Sequence, residues 1–354
     1  MMNYQQIIES IEKDVKAFPK KVLRASEVLT GNPDFQVAKT PADVVYSEDK
    51  MKLLHYHRRL KKKKIHKTPV LIVYALINRY IMLDLEPGRS FIQNLLNEGL
   101  DVYLIDWGYP TGADRYLDLD DYINYYMDTA VRWIRSETKS KKINLMGVCM
   151  GGTFSVIYAA LHPKKVKNLI TLATPTQFDI DDAGLFLWAR GFDVDKAVEG
   201  LGNLPGDLAN ILYLLVSPVA TATKYIQFLE GIENPKFVST FLRMEKWIFD
   251  SPDMAGEFFR EWIRDFLQQN LLIQNRLKVD GQKVDLRKIK CPLLNVFGKN
   301  DDLAPPSTAK PLSRAVGSKD VTTIGVDTGH VGIFVGSKSY KTISPKIAQW
   351  IRER

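Results

Sequence analysis

The stretch Gly147-Val148-Cys149-Met150-Gly151-Gly152 decides the fold of this chain. It follows the apolar run Ile143 to Met146, which predicts a buried strand, and it precedes Thr153 to Leu161, which predicts an apolar helix. A reactive residue on such a sharp turn needs glycines on both sides, because neighbouring side chains would collide with the strained backbone. Cys149 therefore occupies the position of a nucleophile, at the N-terminus of a helix whose dipole favours a thiolate.

Strand and helix patterns alternate over most of the chain. The strand candidates are Val44 to His57 as paired early strands, Pro69 to Tyr74, Leu100 to Ile105, Ile143 to Met146, Leu169 to Ala173, Pro292 to Phe297 and Val321 to Val326. Helical stretches such as Tyr122 to Glu137 separate them. This alternation predicts a mostly parallel sheet covered by helices. Together with the cysteine elbow it predicts an α/β-hydrolase fold.

The strand pattern breaks between about Gln177 and Asn275, where aromatic-rich segments of helix length follow one another. We therefore expect three parts: an N-terminal helical arm (1–40), an α/β-hydrolase core (41–176 and 276–354), and a helical cap inserted in the core (177–275). Five aromatic residues of the cap are expected to form cap core or dimer contacts rather than to bind substrate: Phe186, Trp188, Trp247, Phe259 and Trp262.

An acid and a histidine follow the cysteine in the order that this fold requires. Asp301 lies in an acidic loop after the Pro292 to Phe297 strand, and His330 lies in a loop after the last strand. We expect His330 to take the proton of Cys149 and Asp301 to hold the imidazole in one tautomer. Asp302 is the alternative acid. The backbone N–H of Met150 would face the developing oxyanion.

Composition and charge describe an ordinary globular protein. The 354 residues are 25% charged and carry a formal net charge of +8. Part of this charge comes from the run Arg58 to Lys64, which we interpret as a solvated loop, with an anionic partner such as a CoA phosphate or a membrane-like surface left open. Because nucleic-acid motifs and interleaved aromatic residues are missing, no nucleic-acid binding is predicted.

The two cysteines, Cys149 and Cys291, cannot build a disulfide framework. With no signal peptide and no apolar span of about 20 residues, we expect a cytoplasmic protein without a transmembrane segment. Cys291 precedes a core strand and is interpreted as a packing residue. Cysteines and histidines are too few and too scattered for the usual zinc spacings, so we expect no metal, and no cofactor motif is present.

Several separate segments resemble polyhydroxyalkanoate synthase, in particular the short catalytic subunit of the two-component enzymes of class III or class IV. The resemblance covers most of the chain. It is carried by the cysteine elbow, Val73 to Tyr80 with Leu83-Asp84-Leu85, Asp106-Trp107-Gly108-Tyr109-Pro110, Asp301 with its Leu-Ala-Pro-Pro tail, and Gly329-His330. Dienelactone-type hydrolases also place a cysteine in such an elbow, but they are shorter and do not carry the Ile-Asn-Arg and Asp-Trp-Gly segments.

This resemblance implies polymerisation of (R)-3-hydroxyacyl-CoA into a polyester with release of CoA, which is a substrate and not a cofactor. Cys149 would carry the growing polyester chain as a thioester, and His330 would activate the thiol. Asp301 would activate the attacking hydroxyl, either directly or through His330. Backbone N–H groups of Met150 and Leu76 would form the oxyanion hole. Asp302 stands where many synthases carry histidine, a departure that puts one substrate or loop contact in doubt.

The resemblance also implies partners. A two-component synthase needs a second subunit, of E or R type, and the family associates as a homodimer through the cap and attaches to the surface of polyester granules. Short monomers are the expected substrates. Two other functions remain open: a cysteine-dependent hydrolase acting on an ester or thioester, and a catalytically silent scaffold that recruits partners to granules. The presence of all three triad residues disfavours the scaffold.

Overall fold

The computed structural model describes residues 4–30, 36–57, 65–216 and 218–354, and within them an eight-stranded, mostly parallel sheet forms the centre of the protein. In chain order its strands are β1 (Ala42–Glu48), β2 (Met51–Tyr56), β3 (Val70–Val73), β4 (Val102–Asp106), β5 (Ile143–Val148), β6 (Val166–Leu172), β7 (Leu293–Gly298) and β8 (Val321–Val326). Their order across the sheet is β1-β2-β4-β3-β5-β6-β7-β8. Strand β2 is antiparallel to β1 and β4, and the other neighbours are parallel.

Helices follow most of the strands. They are α1 (Tyr4–Thr30), α2 (Phe91–Asn97), α3 (Asp128–Thr138), α4 (Met150–Leu161), α5 (Gly184–Ala189), α6 (Val194–Leu201), α7 (Gly206–Val216), α8 (Pro218–Glu230), α9 (Pro235–Phe249), α10 (Gly256–Glu261), α11 (Pro306–Ala309), α12 (Leu312–Ala315), α13 (Gly332–Val335) and α14 (Ser344–Arg352). The π-helical segments Asp121–Met127, Trp262–Gln268 and Ser339–Ile343 adjoin α3, α10 and α14. Short 3₁₀ turns span Tyr80–Leu83, Gly112–Asp114 and Leu286–Lys288. Two short hairpins pair Asp84–Glu86 with Arg89–Ser90 and Lys278–Val279 with Gln282–Lys283.

The central strands are buried along their whole length, which explains why they read as continuous apolar runs. Every residue of β3, β4 and β5 is buried, as expected when both faces of a parallel sheet are covered. The predicted strands are confirmed with small shifts at their ends, except that β6 starts three residues early, at Val166. Helix α4 begins directly after Cys149, at Met150, and so includes two glycines that precede the predicted start at Thr153. Close packing overrides the weak helix propensity of these glycines.

Between β6 and β7 the chain forms the helices α5 to α10, and the described residues of this stretch add no strand to the central sheet. Helix α1 packs on this helical insert: Ala25 belongs to a separate apolar cluster with Phe228, Ile232 and Val238. The N-terminal helix is therefore anchored to the insert by apolar burial. The exact division into arm, core and cap remains a prediction.

The basic run Arg58 to Lys64, interpreted above as a solvated loop, lies outside the described residues. Within the ranges that the structure describes, no helix combines the length and the apolar character needed to cross a membrane.

Candidate active site

Cys149 sits on a sharp turn between β5 and α4. Its backbone has φ 53° and ψ −125°, a strained conformation for a residue with a side chain. The turn is held by the hydrogen bond from the Cys149 N–H to the Leu172 carbonyl (2.9 Å). A Cβ at Gly152 would overlap the Thr174 hydroxyl, and one at Gly151 would overlap the Val73 carbonyl. The glycines predicted to flank a nucleophile are thus required by close packing around the elbow.

Asp301 and His330 form a hydrogen-bonded pair. The Oδ2 atom of Asp301 lies 2.7 Å from the His330 Nδ1. The other oxygen, Oδ1, accepts hydrogen bonds from the backbone N–H groups of Leu303 (3.0 Å) and Ala304 (2.8 Å), and the Asp301 side chain is fully buried. The carboxylate therefore has one oxygen committed to its own loop and one committed to the histidine, which fixes the Nδ1–H tautomer.

Electrostatics couple His330 to Cys149. Burial alone would lower the pKa of His330, but the negative charge of Cys149 and the hydrogen bonds to Asp301 and Cys149 outweigh burial and raise that pKa to about 10. Because Nδ1 is bonded to Asp301, Nε2 is the nitrogen left for the sulfur. The three side chains that the sequence singled out are brought together as a cysteine–histidine–aspartate arrangement.

The structure distinguishes the two neighbouring acids, Asp301 and Asp302. Whereas Asp301 is buried against His330, Asp302 is exposed. The loop with the acids is joined to the loop with the histidine by hydrogen bonds from the N–H of Lys299 to the Val326 carbonyl (2.7 Å) and from the N–H of Asn300 to the Thr328 carbonyl (3.1 Å). These bonds set which of the two carboxylates meets the imidazole.

The two backbone groups predicted for the oxyanion hole belong to neighbouring segments. Met150 is the first residue of α4, where N–H groups have no partner within the helix. Leu76 lies shortly after β3. In the same loop, two residues earlier, the backbone carbonyl of Tyr74 lies against Gly151 of the elbow. The Trp107 indole N–H donates to that same carbonyl (2.9 Å). The loop with Leu76 is thus held beside the elbow, and the oxyanion role of both N–H groups remains a prediction.

Three residues from the segments of the family resemblance connect loops to one another: Asn78, Arg79 and Asp106. Arg79 pairs with Asp106 at the end of β4 (2.9 Å). The Asn78 amide donates to the Ile248 carbonyl (2.9 Å), and the Trp247 indole donates to the Arg79 carbonyl (2.9 Å). These contacts join the loop after β3 to the end of α9 in the helical insert, in agreement with a supporting rather than a catalytic role.

An apolar cavity of about 80 Å³ is enclosed largely by the helical insert and reaches the loop after β3 at Ile77. Its lining consists of Ile77, Leu185, Trp188, Ala189, Phe192, Leu204, Ala209, Leu212, Tyr213, Met254, Phe259, Trp262, Ile263 and Leu267. Pockets for drug-sized ligands measure roughly 300–1,000 Å³, so this one has room only for a small group. Trp188, Phe259 and Trp262, which we expected to form cap core or dimer contacts, are among the residues that line it.

Two tyrosines near Cys149 were not identified from the sequence. Burial and then the negative charge of Cys149 raise the pKa of Tyr74, which follows β3, and of Tyr213, which lies on α7. Tyr213 belongs to no recognisable motif and sits in an apolar helix, whereas Tyr74 lies in the Val73 to Tyr80 segment of the resemblance but continues an apolar strand. Both therefore look like core residues in the sequence, and only in the folded structure does the charge of Cys149 act on their pKa.

Among the described residues, no three or more histidine, cysteine, aspartate or glutamate side chains are grouped so that they could hold a metal ion.

Comparisons with known proteins identify the family. Residues 68–337 match the family model described as alpha/beta hydrolase fold, and residues 5–95 match that of the poly-beta-hydroxybutyrate polymerase (PhaC) N-terminus. The chain is 43% identical over 347 residues to the poly(3-hydroxyalkanoate) polymerase subunit PhaC of Allochromatium vinosum, covering 98% of each chain. It is 41% identical to the protein of the same name from Synechocystis, covering 95% of this chain and 91% of that protein.

Solved structures confirm the predicted fold class. A putative lipase from Sulfolobus solfataricus superposes with a TM-score of 0.58 at 14% identity, covering 89% of this chain and 99% of that chain. A monoacylglycerol lipase from Paleococcus ferrophilus gives 0.51 at 18% identity, covering 81% and 96%. At these identities the likeness concerns the fold alone.

Proposed function

This chain belongs to the family of poly(3-hydroxyalkanoate) polymerase PhaC subunits, and from that premise we propose that Cys149 is the residue on which its polyester is assembled. The enzyme is an acyltransferase. Its substrate in this proposal is (R)-3-hydroxyacyl-CoA, and CoA leaves at each addition. The observation that carries the proposal is the coupling of Cys149 to a histidine whose Nδ1 is held 2.7 Å from a buried aspartate.

Loading begins with the thiolate of Cys149 paired with the His330 imidazolium. The sulfur attacks the thioester carbonyl, the bond from that carbon to the CoA sulfur breaks, and the leaving CoA thiolate takes the proton from Nε2 of His330. The acyl group is then a thioester on Cys149. Because one thioester replaces another, loading is nearly balanced in free energy, which suits a reaction that must be repeated many times.

Elongation uses the same histidine in the opposite direction. Neutral His330 accepts the proton from the 3-hydroxyl of an incoming hydroxyacyl unit, and that oxygen attacks the thioester on Cys149. The carbon–sulfur bond breaks, an ester bond forms, and the thiolate–imidazolium pair is restored. N–H groups of Met150 and Leu76 would stabilise the oxyanion formed in both steps.

Asp301 acts through His330 in this proposal. One of its oxygens is occupied by two backbone N–H groups and the other by Nδ1 of the histidine, and the carboxylate is fully buried. Because the carboxylate is fully buried, a direct contact with the substrate hydroxyl would require the Asp301 loop or the His330 side chain to move. The carboxylate therefore orients the imidazole and stabilises its protonated form.

The helical insert supplies the apolar surroundings of the thioester in this proposal. Trp262 and Phe259 line the cavity enclosed by the insert, and excluding water there would protect the acyl-enzyme from hydrolysis. We further propose that the chain works in the cytoplasm at the surface of polyester granules, with a second subunit of E or R type and as a homodimer through the cap. Its relatives named as polymerase subunits support assembly with a partner.

The proposal is tested by mixing the purified protein with (R)-3-hydroxybutyryl-CoA and recording both free CoA and insoluble polyester. A Cys149→Ala variant serves as the control, and each mixture is run with and without extract of the source organism. CoA release with polymer that the variant lacks is expected, and dependence on extract would reveal the second subunit. Release of CoA with only free hydroxybutyrate would overturn polymerisation in favour of a cysteine hydrolase.

A further inference from the structure

Among the described residues, the cavity enclosed by the helical insert is lined by a single side-chain oxygen. Among the described residues that line it, all are aliphatic, aromatic or thioether side chains except for the hydroxyl of Tyr213 and the indole N–H groups of two tryptophans. A polar atom that enters such a cavity loses its hydrogen bonds to water and needs a partner there. The position of this one hydroxyl therefore decides where a polar atom of the acyl group can be accommodated.

Tyr213 has hydrogen-bonding capacity to spare. In the part of the chain that the structure describes, no group hydrogen-bonds its hydroxyl. One turn earlier on α7, the Nδ2 of Asn210 is buried without a partner, although its Oδ1 accepts a long bond from Asn78 (3.4 Å). Residues three apart share a helix face. This face of α7 therefore presents unpaired polar groups toward the loop after β3 and the elbow.

The acyl group has two oxygens to place. The carbonyl oxygen is directed to the backbone N–H groups of Met150 and Leu76 in the mechanism above. The other oxygen is on carbon 3, two carbons from the thioester carbon, inside the apolar cavity. Tyr213 lines the cavity together with Ile77, which follows Leu76, and Asn210, one turn earlier on the same helix, meets Asn78 of that loop (3.4 Å). The Tyr213 side chain therefore belongs to the part of α7 that lies against the loop with the predicted oxyanion N–H, and the charge of Cys149 contributes to raising its pKa.

We propose that Tyr213 is a specificity-determining residue, whose hydroxyl hydrogen-bonds the oxygen on carbon 3 of the acyl group and so selects 3-hydroxyacyl thioesters over plain acyl thioesters. This inference rests on the proposed function. A site that hydrogen-bonds a substrate hydroxyl rejects analogues without that hydroxyl, because its own polar group is then left unpaired. The helical insert thereby contributes substrate selection to a reaction whose chemistry belongs to the core.

The test compares two thioesters on three proteins: the full-length wild type, Tyr213→Phe, and Tyr225→Phe as a matched control. Tyr225 lies on α8 and bonds Glu245 (2.8 Å), outside the cavity lining. Each protein is mixed with (R)-3-hydroxybutyryl-CoA or with butyryl-CoA, and the acyl-enzyme is measured at early times by intact-protein mass spectrometry. Butyryl-CoA has no 3-hydroxyl, so it loads Cys149 once and also checks that each variant is folded.

In Tyr213→Phe we expect loading from (R)-3-hydroxybutyryl-CoA to slow roughly two- to tenfold, the effect of one neutral hydrogen bond, while loading from butyryl-CoA is unchanged. The control should match the wild type with both thioesters. Equal slowing with both thioesters would assign Tyr213 a purely structural role and overturn the inference, as would no slowing at all. A wild type that forms no acyl-enzyme with either thioester would overturn the proposed function itself, and this inference with it.

Discussion

The two sides of the active site are built in different ways. On the core side, Cys149, Asp301 and His330 stand at the ends of strands, and backbone hydrogen bonds hold each supporting loop in place. On the side of the helical insert, the wall is an apolar surface with one hydroxyl, that of Tyr213. The difference separates two tasks. Rigid strand ends position the charged groups of the site, and we propose that the insert selects the acyl group.

The largest effect should come from the core side. Cys149→Ala removes the nucleophile, so CoA release is expected to fall at least about 10³-fold, as measured by the initial rate with (R)-3-hydroxybutyryl-CoA. Cys291→Ala is the matched control. Burial raises the pKa of Cys291 to about 11, so it is an unreactive thiol at neutral pH, and its variant should retain activity. Comparable loss in both variants would mean that the role assigned to Cys149 is wrong.

The next effect separates the neighbouring acids. Asp301→Asn should lower turnover by about 10²- to 10⁴-fold, because the amide no longer fixes the tautomer or stabilises the imidazolium. Asp302→Asn, at an exposed position, should stay close to wild type. Loading with butyryl-CoA sharpens the test, since it involves no substrate hydroxyl. If Asp301→Asn loads at the wild-type rate and fails only in elongation, the aspartate acts directly on the hydroxyl instead of through His330.

A smaller effect concerns the charge of His330. Its pKa is raised from the ordinary 6.5 to about 10, so the proton is retained at neutral pH and lost only as the pH rises through about 10. Loading with butyryl-CoA should therefore show no rise in rate as the pH passes 6.5, and a fall near 10. In His330→Gln, alkylation of Cys149 by iodoacetamide at pH 7 should slow by about tenfold or more. A wild-type rate that climbs through pH 6.5 would indicate an unshifted histidine.

The smallest effect concerns the contact between the helical insert and the core. Glu261, at the end of α10, accepts a hydrogen bond from the Leu119 N–H of the core (2.7 Å). Burial, opposed by that bond and assisted by Asp118 and Asp265, raises the pKa of Glu261 to about 7. The folded protein thus holds this proton more tightly than the unfolded chain does. Ionised Glu261 lowers the free energy of unfolding. This destabilisation is absent below the ordinary pKa of 4.5 and fully present above about pH 7.

Glu261→Gln keeps the acceptor and removes the charge. The difference in Tm between Glu261→Gln and the wild type should therefore grow by roughly 2 °C in favour of the variant as the pH increases from 4.5 to 7. Glu257→Gln, one turn earlier on α10, serves as the comparison and should lack this trend. A difference in Tm between Glu261→Gln and the wild type that is the same at every pH would show that the ionised carboxylate does not destabilise the contact between insert and core.

Much of the fold could be predicted because its signals are local. The strands beside Cys149 appear as short apolar runs, and the elbow needs glycines at fixed neighbouring positions. The helix boundaries were less predictable: the stretch Tyr122 to Glu137 starts as a π-helix that runs to Met127, and α4 includes two glycines. In both places contacts with distant parts of the chain outweigh local propensity.

The sequence by itself determined the α/β-hydrolase class, the order of cysteine, acid and histidine, and the helical nature of the insert, because spacing and periodicity along the chain encode these features. Only the tertiary structure decided that Asp301 rather than Asp302 meets His330, that the loop after β3 is tied to α9, and that Tyr213 lines the apolar cavity of the insert. These are contacts between residues remote in the chain. Their geometry depends on how whole helices and loops pack, which no local pattern records.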